Sequence, residues 1–195
     1  YTPDGNVGNS GAIKITSNEG TITTGFIASI LGLGEDDTGN GSNINLNAQG
    51  DIITDLILSA TVGSDETGNG GEINITSRNG NITTGALLSV AASVDEDGDN
   101  AGNGGNITVN AENGSITTGA LLSATGAVGH SRSVVANPSN GGNITLIAKD
   151  DVTVGGFGLS DYANRFDESN QDLDLFAALD DIALDLGFTE GEVNT

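Results

Sequence analysis

Residues 104–123 read GGNITVNAENGSITTGALLS, and residues 70–89 read almost the same, GGEINITSRNGNITTGALLS. Related stretches occupy residues 10–29, 41–59 and 141–160. A unit that recurs in this way is the signature of a repeat protein, whose fold is built by stacking one supersecondary unit. We number the units repeats 1 to 5; they begin at Ser10, Gly41, Gly70, Gly104 and Gly141.

The repeat length is close to thirty residues, with insertions at one place. The closing serines of the five repeats are spaced by 30, 30, 34 and 37 residues; they are Ser29, Ser59, Ser89, Ser123 and Ser160. The extra residues all lie between a closing serine and the start of the next repeat. Insertions confined to one position of a repeat map to loops on one side of a solenoid.

Each repeat contains three short candidate strands. In repeat 4, residues 107–111 alternate apolar and polar side chains, which is typical of a half-buried strand. The turn dipeptide Asn113-Gly114 follows, then a second strand over residues 115–118. Gly119 interrupts the chain before a third strand over residues 120–124. Three strands of this length cannot close a domain alone, so they must stack on their equivalents.

The sequence therefore predicts an all-β fold, a parallel β-helix (β-solenoid) of about five coils. In this fold each strand pairs with its equivalent one coil away, at about 4.8 Å along the axis. Leucine-rich repeats have a similar period but need a helical return, and glycines break both returns here. We expect two core columns: Ile13, Ile44, Ile73, Ile107 and Ile144, and Ile22, Ile52, Ile82, Ile116 and Val152. The inward partners of the first column are Ile15, Leu46, Ile75, Val109 and Leu146.

The third strand has large apolar side chains on both faces. We expect one face to point inward, with Phe26, Ala28, Ile30 and their equivalents, such as Leu56, Leu58, Ala86 and Leu88. Strict alternation then sends the intervening aliphatics outward. The expected outer stripe is Ile27, Ile57, Leu87 and Leu121, and it is a candidate partner-binding surface.

The composition changes near residue 161, which divides the chain into a repeat domain, residues 1–160, and an acidic tail, residues 161–195. Ser169 with Asp172 fits a helix N-terminus, and we expect an amphipathic helix at about 171–186. Its apolar face includes Leu173, Phe176, Leu179 and Ile182. We expect this face to bind the outer stripe of the same solenoid or of the next subunit. The competing interpretation is that the tail caps the last coil.

The inserted loops after repeats 1 to 3 are acidic. Stacking would place their carboxylates close together, and Ca²⁺ would relieve the repulsion, because it prefers oxygen ligands. The candidate Ca²⁺ ligands are Glu35, Asp36, Asp37, Asp65, Glu66, Asp95, Asp97 and Asp99. The alternative is that these loops are solvated and keep the protein soluble.

The overall charge and composition exclude several classes of function. The formal net charge of −22 opposes nucleic-acid binding. The chain has no cysteine, so there is neither a disulfide framework nor a thiolate metal site, and no stretch is apolar enough to insert in a membrane. Because the chain begins with Tyr1 rather than Met, we expect it to be processed or cut from a longer protein.

The repeated GGxIT…NGxITTGALLS units resemble the filamentous-haemagglutinin-type exoproteins of Gram-negative two-partner secretion. The resemblance covers roughly residues 5–160 and implies a right-handed β-helical shaft on an extracellular, surface-associated protein. The conserved amino-terminal secretion domain of that family is not recognisable in this chain, and the tail has no counterpart.

We therefore expect a structural or adhesive protein, a fibre-forming subunit that self-associates head to tail and can bind a host, cell-surface or matrix component. We expect no enzyme. A carbohydrate-active β-helix enzyme, similar to the polysaccharide lyases, is one alternative. The basic residues are scattered over the coils, however, and His130 lies in a loop. An ice-binding solenoid is another alternative, because Thr23, Thr83, Thr117 and Thr153 form a column that only Ile53 interrupts.

Overall fold

The computed structural model describes residues 8–32, 38–63, 67–93, 101–127 and 140–155. Within these ranges the chain forms strands and no helix, and every strand pairing is parallel. The strands are β1 (Ile13–Ser17), β2 (Ile22–Thr23), β3 (Ile27–Gly32), β4 (Ile44–Ala48), β5 (Ile52–Gly63), β6 (Ile73–Ser77), β7 (Ile82–Ser93), β8 (Ile107–Ala111), β9 (Ile116–Thr118), β10 (Leu121–Ala127), β11 (Ile144–Ala148) and β12 (Val152–Val154).

The first sheet takes one strand from each repeat, in the order β1-β4-β6-β8-β11. Its register aligns the first aliphatic residues of the repeats, as predicted: Ile13 with Ile44, Ile44 with Ile73, Ile73 with Ile107, and Ile107 with Ile144. Parallel strands stacked in repeat order confirm the parallel β-solenoid.

The second sheet contains the remaining strands. Its main path is β12-β9-β7-β5-β2, and β3 and β10 pair with β5 and β7. In repeats 2 and 3 the second and third predicted strands are continuous, giving the twelve-residue strands β5 and β7. The register of β5 with β7 omits the pair Asp55 and Gly85, where the chain turns a corner.

The main core lies between the two sheets. The side chains of Ile44, Ile73, Ile107 and the column from Ile22 to Ile116 are buried in one cluster, as predicted. Ile13, Ile15 and Leu146 are partly buried and pack against that cluster. Ile144 also follows the predicted column, but it remains 42% exposed because it lies in the last described repeat.

The predicted outer stripe was assigned to the wrong face. Ile27, Ile57 and Leu87 are buried in the main core, and Leu121 packs against it. The physical reason is the corner at Asp55 and Gly85, where one pair drops out of the register and the alternation of side chains restarts. Because the third strand is apolar on both faces, its sequence does not indicate which residues point inward after the corner.

Candidate self-association site

The closing serines hold neighbouring repeats together from inside. Ser59 Oγ donates a 2.8 Å hydrogen bond to the carbonyl of Ser42 in its own repeat and accepts one of 3.1 Å from the N–H of Gly71 in the next repeat. Ser89 makes the same pair of bonds with Gly71 and Gly105. Ser123 does so with Gly105 and Gly142. We call this column the serine ladder.

The glycine pair at the start of repeats 3, 4 and 5 lets the backbones approach the serine ladder. A Cβ on Gly71 would overlap the carbonyl oxygen of Ser42, and one on Gly105 would overlap that of Gly71. At Gly142 it would overlap the carbonyl of Gly105. In repeats 3, 4 and 5 the second glycine of the pair is therefore required by a close backbone contact between repeats, and not only by a turn.

An asparagine column joins the repeats on the outside. The side-chain Oδ1 of Asn9, Asn40, Asn69 and Asn103 each accepts a 2.8 Å hydrogen bond from the backbone N–H of the residue one repeat further on. The donors of these four bonds are the backbone N–H groups of Asn40, Asn69, Asn103 and Asn140. This asparagine ladder always has the same sense: the later repeat donates and the earlier repeat accepts.

The backbone bonds at the start of the first sheet have the opposite sense, with the earlier repeat as the donor. The N–H of Ile44 donates to the carbonyl of Glu72, that of Ile73 to Asn106, and that of Ile107 to Asn143. The next step of this series would be a bond from the N–H of Ile144 to a following repeat. The first and last repeats therefore present complementary ends, and a further repeat in the same register would extend every series.

The last described repeat leaves core positions uncovered. Ile107 and Ile116 are fully buried, but their partners in repeat 5, Ile144 and Val152, are 42% and 46% exposed. Val154 is 54% exposed, although its partner Thr118 is buried. We call Ile144, Val152 and Val154 the terminal apolar patch. These side chains stand at core positions of the solenoid but are exposed, because no further described repeat packs on them. The patch is hence a candidate self-association site.

A second apolar cluster lies on the outer face of the second sheet. It is formed by Leu56, Leu58, Ala60, Ala86 and Leu88, which we call the outer apolar layer. Ala28, Ala120 and Leu122 pack at its margins. The opposite faces of the same strands carry Ile57 and Leu87 into the main core, so β5 and β7 are buried on both sides. The residues of the outer apolar layer, and not Ile57 or Leu87, are the ones that the sequence pattern predicted to point inward.

The other predicted site residues fall into two groups. The eight candidate Ca²⁺ ligands, from Glu35 to Asp99, lie outside the described residues, as do Leu173, Phe176, Leu179 and Ile182 of the tail. The described part of the chain contains no group of three or more His, Asp or Glu side chains that could hold a metal ion. The threonine column is described: Thr23, Ile53, Thr83, Thr117 and Thr153 are in register and exposed.

Comparison with known proteins finds no relative of this chain. No family model, no curated protein and no solved structure matches the chain. Among the described residues there is no helix of the length and apolarity needed to cross a membrane.

Proposed function

We propose that the chain is a structural shaft of an extracellular fibre, assembled by head-to-tail stacking of copies of a right-handed β-helix with five coils. The observation that carries the proposal is the terminal apolar patch. Core columns that are fully buried through repeats 2 to 4 end in side chains that are about half exposed in repeat 5. Open solenoid ends with unpaired strand edges are templates for further pairing.

The directional bonds support stacking of unlike ends rather than of like ends. Each series keeps one sense at every junction: the later repeat donates in the asparagine ladder, and the earlier repeat donates in the backbone series. The donors and acceptors presented at one end therefore match those presented at the other end. A head-to-tail contact repeats without closing and generates a filament. The likeness of the repeats to filamentous-haemagglutinin-type exoproteins is in keeping with an extracellular shaft that can display an adhesive surface to a host, cell-surface or matrix component.

The proposal gives the chain a structural rather than a catalytic role. The described basic side chains, Lys14, Arg78 and Lys149, are exposed and belong to different repeats. Lys149 Nζ donates to Asn113 Oδ1 at 3.3 Å, in a contact between repeats. A sugar-cleaving site would need an arrangement of acids or bases around one cleft, such as two carboxyls about 5–9.5 Å apart.

A charge placed in the terminal apolar patch tests the proposal. Val154→Asp puts a carboxylate at the stacking surface, and Thr153→Asp puts the same charge on the neighbouring, outward-facing residue. We expect the full chain and Thr153→Asp to form filaments on concentration, seen by electron microscopy and light scattering, and Val154→Asp to stay monomeric. Monomers at all concentrations for the unaltered chain, or filaments of Val154→Asp, would contradict head-to-tail stacking through this end.

Ice binding is a second candidate function, favoured by the exposed column of four threonines in register. Neighbouring strands place these hydroxyls about 4.8 Å apart, which is a regular spacing. Ile53 interrupts the column and is 44% exposed. Thermal hysteresis that Thr83→Tyr abolishes would support this function, and an absence of hysteresis in the unaltered chain would remove it.

A further inference from the structure

The outer apolar layer is buried, although the described residues provide nothing to cover it. Its five members are 0–3% exposed. Every hydrophobic residue of this cluster in the described part of the chain comes from one sheet, on β3, β5, β7, β10 or at Ala120. A single sheet cannot bury its own outer face, since burial of a sheet face requires a second layer. Another segment must therefore lie on this layer.

The cover is centred on repeats 2 and 3. Phe26 and Ile30 belong to repeat 1, which lies at one edge of the second sheet. They are 45% and 40% exposed. Ile30 pairs with Ala60, which is fully buried. At the other margin Leu122 is only partly buried. This pattern of burial is expected for a compact element over the middle of the sheet.

We propose that this cover is residues 172–186 of the same chain, folded as an amphipathic helix across β5 and β7. On a helical projection Leu175, Phe176, Leu179, Ile182 and Leu186 share one side. Asp174, Asp181 and Asp185 lie on the other side, where they would face water. The proposal keeps the predicted tail helix but moves its binding surface from the stripe at Ile57 and Leu87 to the outer apolar layer.

The dimensions of the two surfaces match. A helix of about fifteen residues is roughly 22 Å long. The four neighbouring strands β3, β5, β7 and β10 lie about 4.8 Å apart, so the outer two are separated by roughly 14 Å, to which side chains add. Residues 156–171 can reach up to about 50 Å when extended, enough to return from Gly155 to the layer.

No other segment outside the described ranges has the same property. Residues 1–7 are short and contain only Tyr1 and Val7 as large apolar side chains, and residues 33–37, 64–66 and 94–100 are short and acidic. Residues 128–139 contain a Val-Val pair but no apolar spacing typical of a helix or strand. Of these segments, only the tail combines sufficient length with an apolar face that has no partner on its own helix.

Single cysteines test the proposal, because the chain has none of its own. Ala86→Cys reports on the outer apolar layer, and Ala111→Cys reports on the main core; both positions are fully buried. The rate of maleimide labelling is measured in the full chain, alone and combined with Leu179→Asp. The matched control is Ala178→Asp, which adds the same charge one residue away, toward the acidic side of the helix. Ala60→Cys replaces Ala86→Cys if the latter does not fold.

We expect Leu179→Asp to accelerate labelling at residue 86 by about tenfold or more, since the cover is released while the body stays folded. Ala178→Asp should leave that rate unchanged, and residue 111 should stay protected in every variant. Dilution of the protein should not change the labelling rates.

If residue 111 also reacts, Leu179→Ser and Ala178→Ser are compared by the same criteria. Rapid labelling of residue 86 in the unaltered tail, equal rates with Leu179→Asp, or loss of protection on dilution would each overturn the proposal. The last result would assign the cover to a second copy.

Discussion

The hydroxyl of Ser89 accepts a 2.9 Å hydrogen bond from the N–H of Gly105, which belongs to the following repeat. The same hydroxyl donates a 2.8 Å hydrogen bond to the carbonyl of Gly71 in its own repeat. Ser89 is fully buried, so water cannot substitute for it. One side chain therefore satisfies a donor and an acceptor that the stacking of the repeats removes from solvent.

Ser89→Ala should destabilise the protein by about 2 kcal/mol or more, because it leaves two buried backbone groups without partners. Ser115→Ala is the control: Ser115 Oγ accepts a 3.2 Å bond from the N–H of Asp151 at an exposed site, where water can replace it. We expect the control to stay within about 0.5 kcal/mol of the unaltered chain. Denaturant unfolding followed by circular dichroism measures both. Equal losses for the two variants would contradict the role given to the serine ladder.

Gly71→Ala should be among the most damaging single-methyl additions. Its Cβ would overlap the backbone carbonyl of Ser42, and neither backbone can move without shifting the stacked repeats. Overpacking of this kind costs about 1–3 kcal/mol and sometimes more. At Gly25 an added Cβ would find its nearest described contact at 3.7 Å, on Asp55 Oδ2, which is ordinary van der Waals contact. Gly25→Ala should therefore be tolerated, and a melting temperature for Gly71→Ala equal to that of Gly25→Ala would refute the close-contact explanation.

The repeat pattern was sufficient to predict the solenoid and its register. Because like residues stack on like, aligning Ile73 with Ile107 in the sequence also aligned them in the sheet. The alternation of apolar and polar side chains over β6 and β8 fixed which face is buried. Local pattern and stacking gave the same answer there, and the structure agrees with it.

The third strand could not be assigned in the same way. Leu56, Ile57 and Leu58 are all apolar, so either phase of alternation appears equally good. The recurring serines were a usable signal: Ser59 and Ser89 lie opposite the glycine pairs, whose buried backbone groups need a hydroxyl. This need depends on the distance between β5 or β7 and the start of the next repeat, which only the folded chain reveals.

The sequence predicts that the acidic loops bind Ca²⁺. If Asp95, Asp97 and Asp99 act with the neighbouring loops as oxygen ligands, titration calorimetry should detect Ca²⁺ binding at millimolar concentrations or below. Binding to the folded state alone should raise the melting temperature, by the equivalent of about 2.7 kcal/mol at a hundredfold excess over Kd. Asp97→Asn should weaken this effect, and Asp55→Asn, at an exposed corner away from the loops, should not. An absence of heat at millimolar Ca²⁺ would leave the loops as solvated acidic segments.

Ile75→Asp tests the central assignment of inside and outside. Ile75 is fully buried in the main core and lies in register between Leu46 and Val109. A carboxylate there would be unpaired and desolvated. The folded protein would therefore lose several kcal/mol of stability, or the carboxylate would take up a proton. Thr76→Asp introduces the same charge on the next residue, whose side chain points out of the solenoid and is partly exposed. We expect thermal unfolding to show a large loss of stability for Ile75→Asp and little change for Thr76→Asp.

Raising the pH should deepen the loss of stability for Ile75→Asp, because the neutral acid is the only form that the core tolerates. If Ile75→Asp melted like the unaltered chain at neutral pH, the first sheet would have to face the other way.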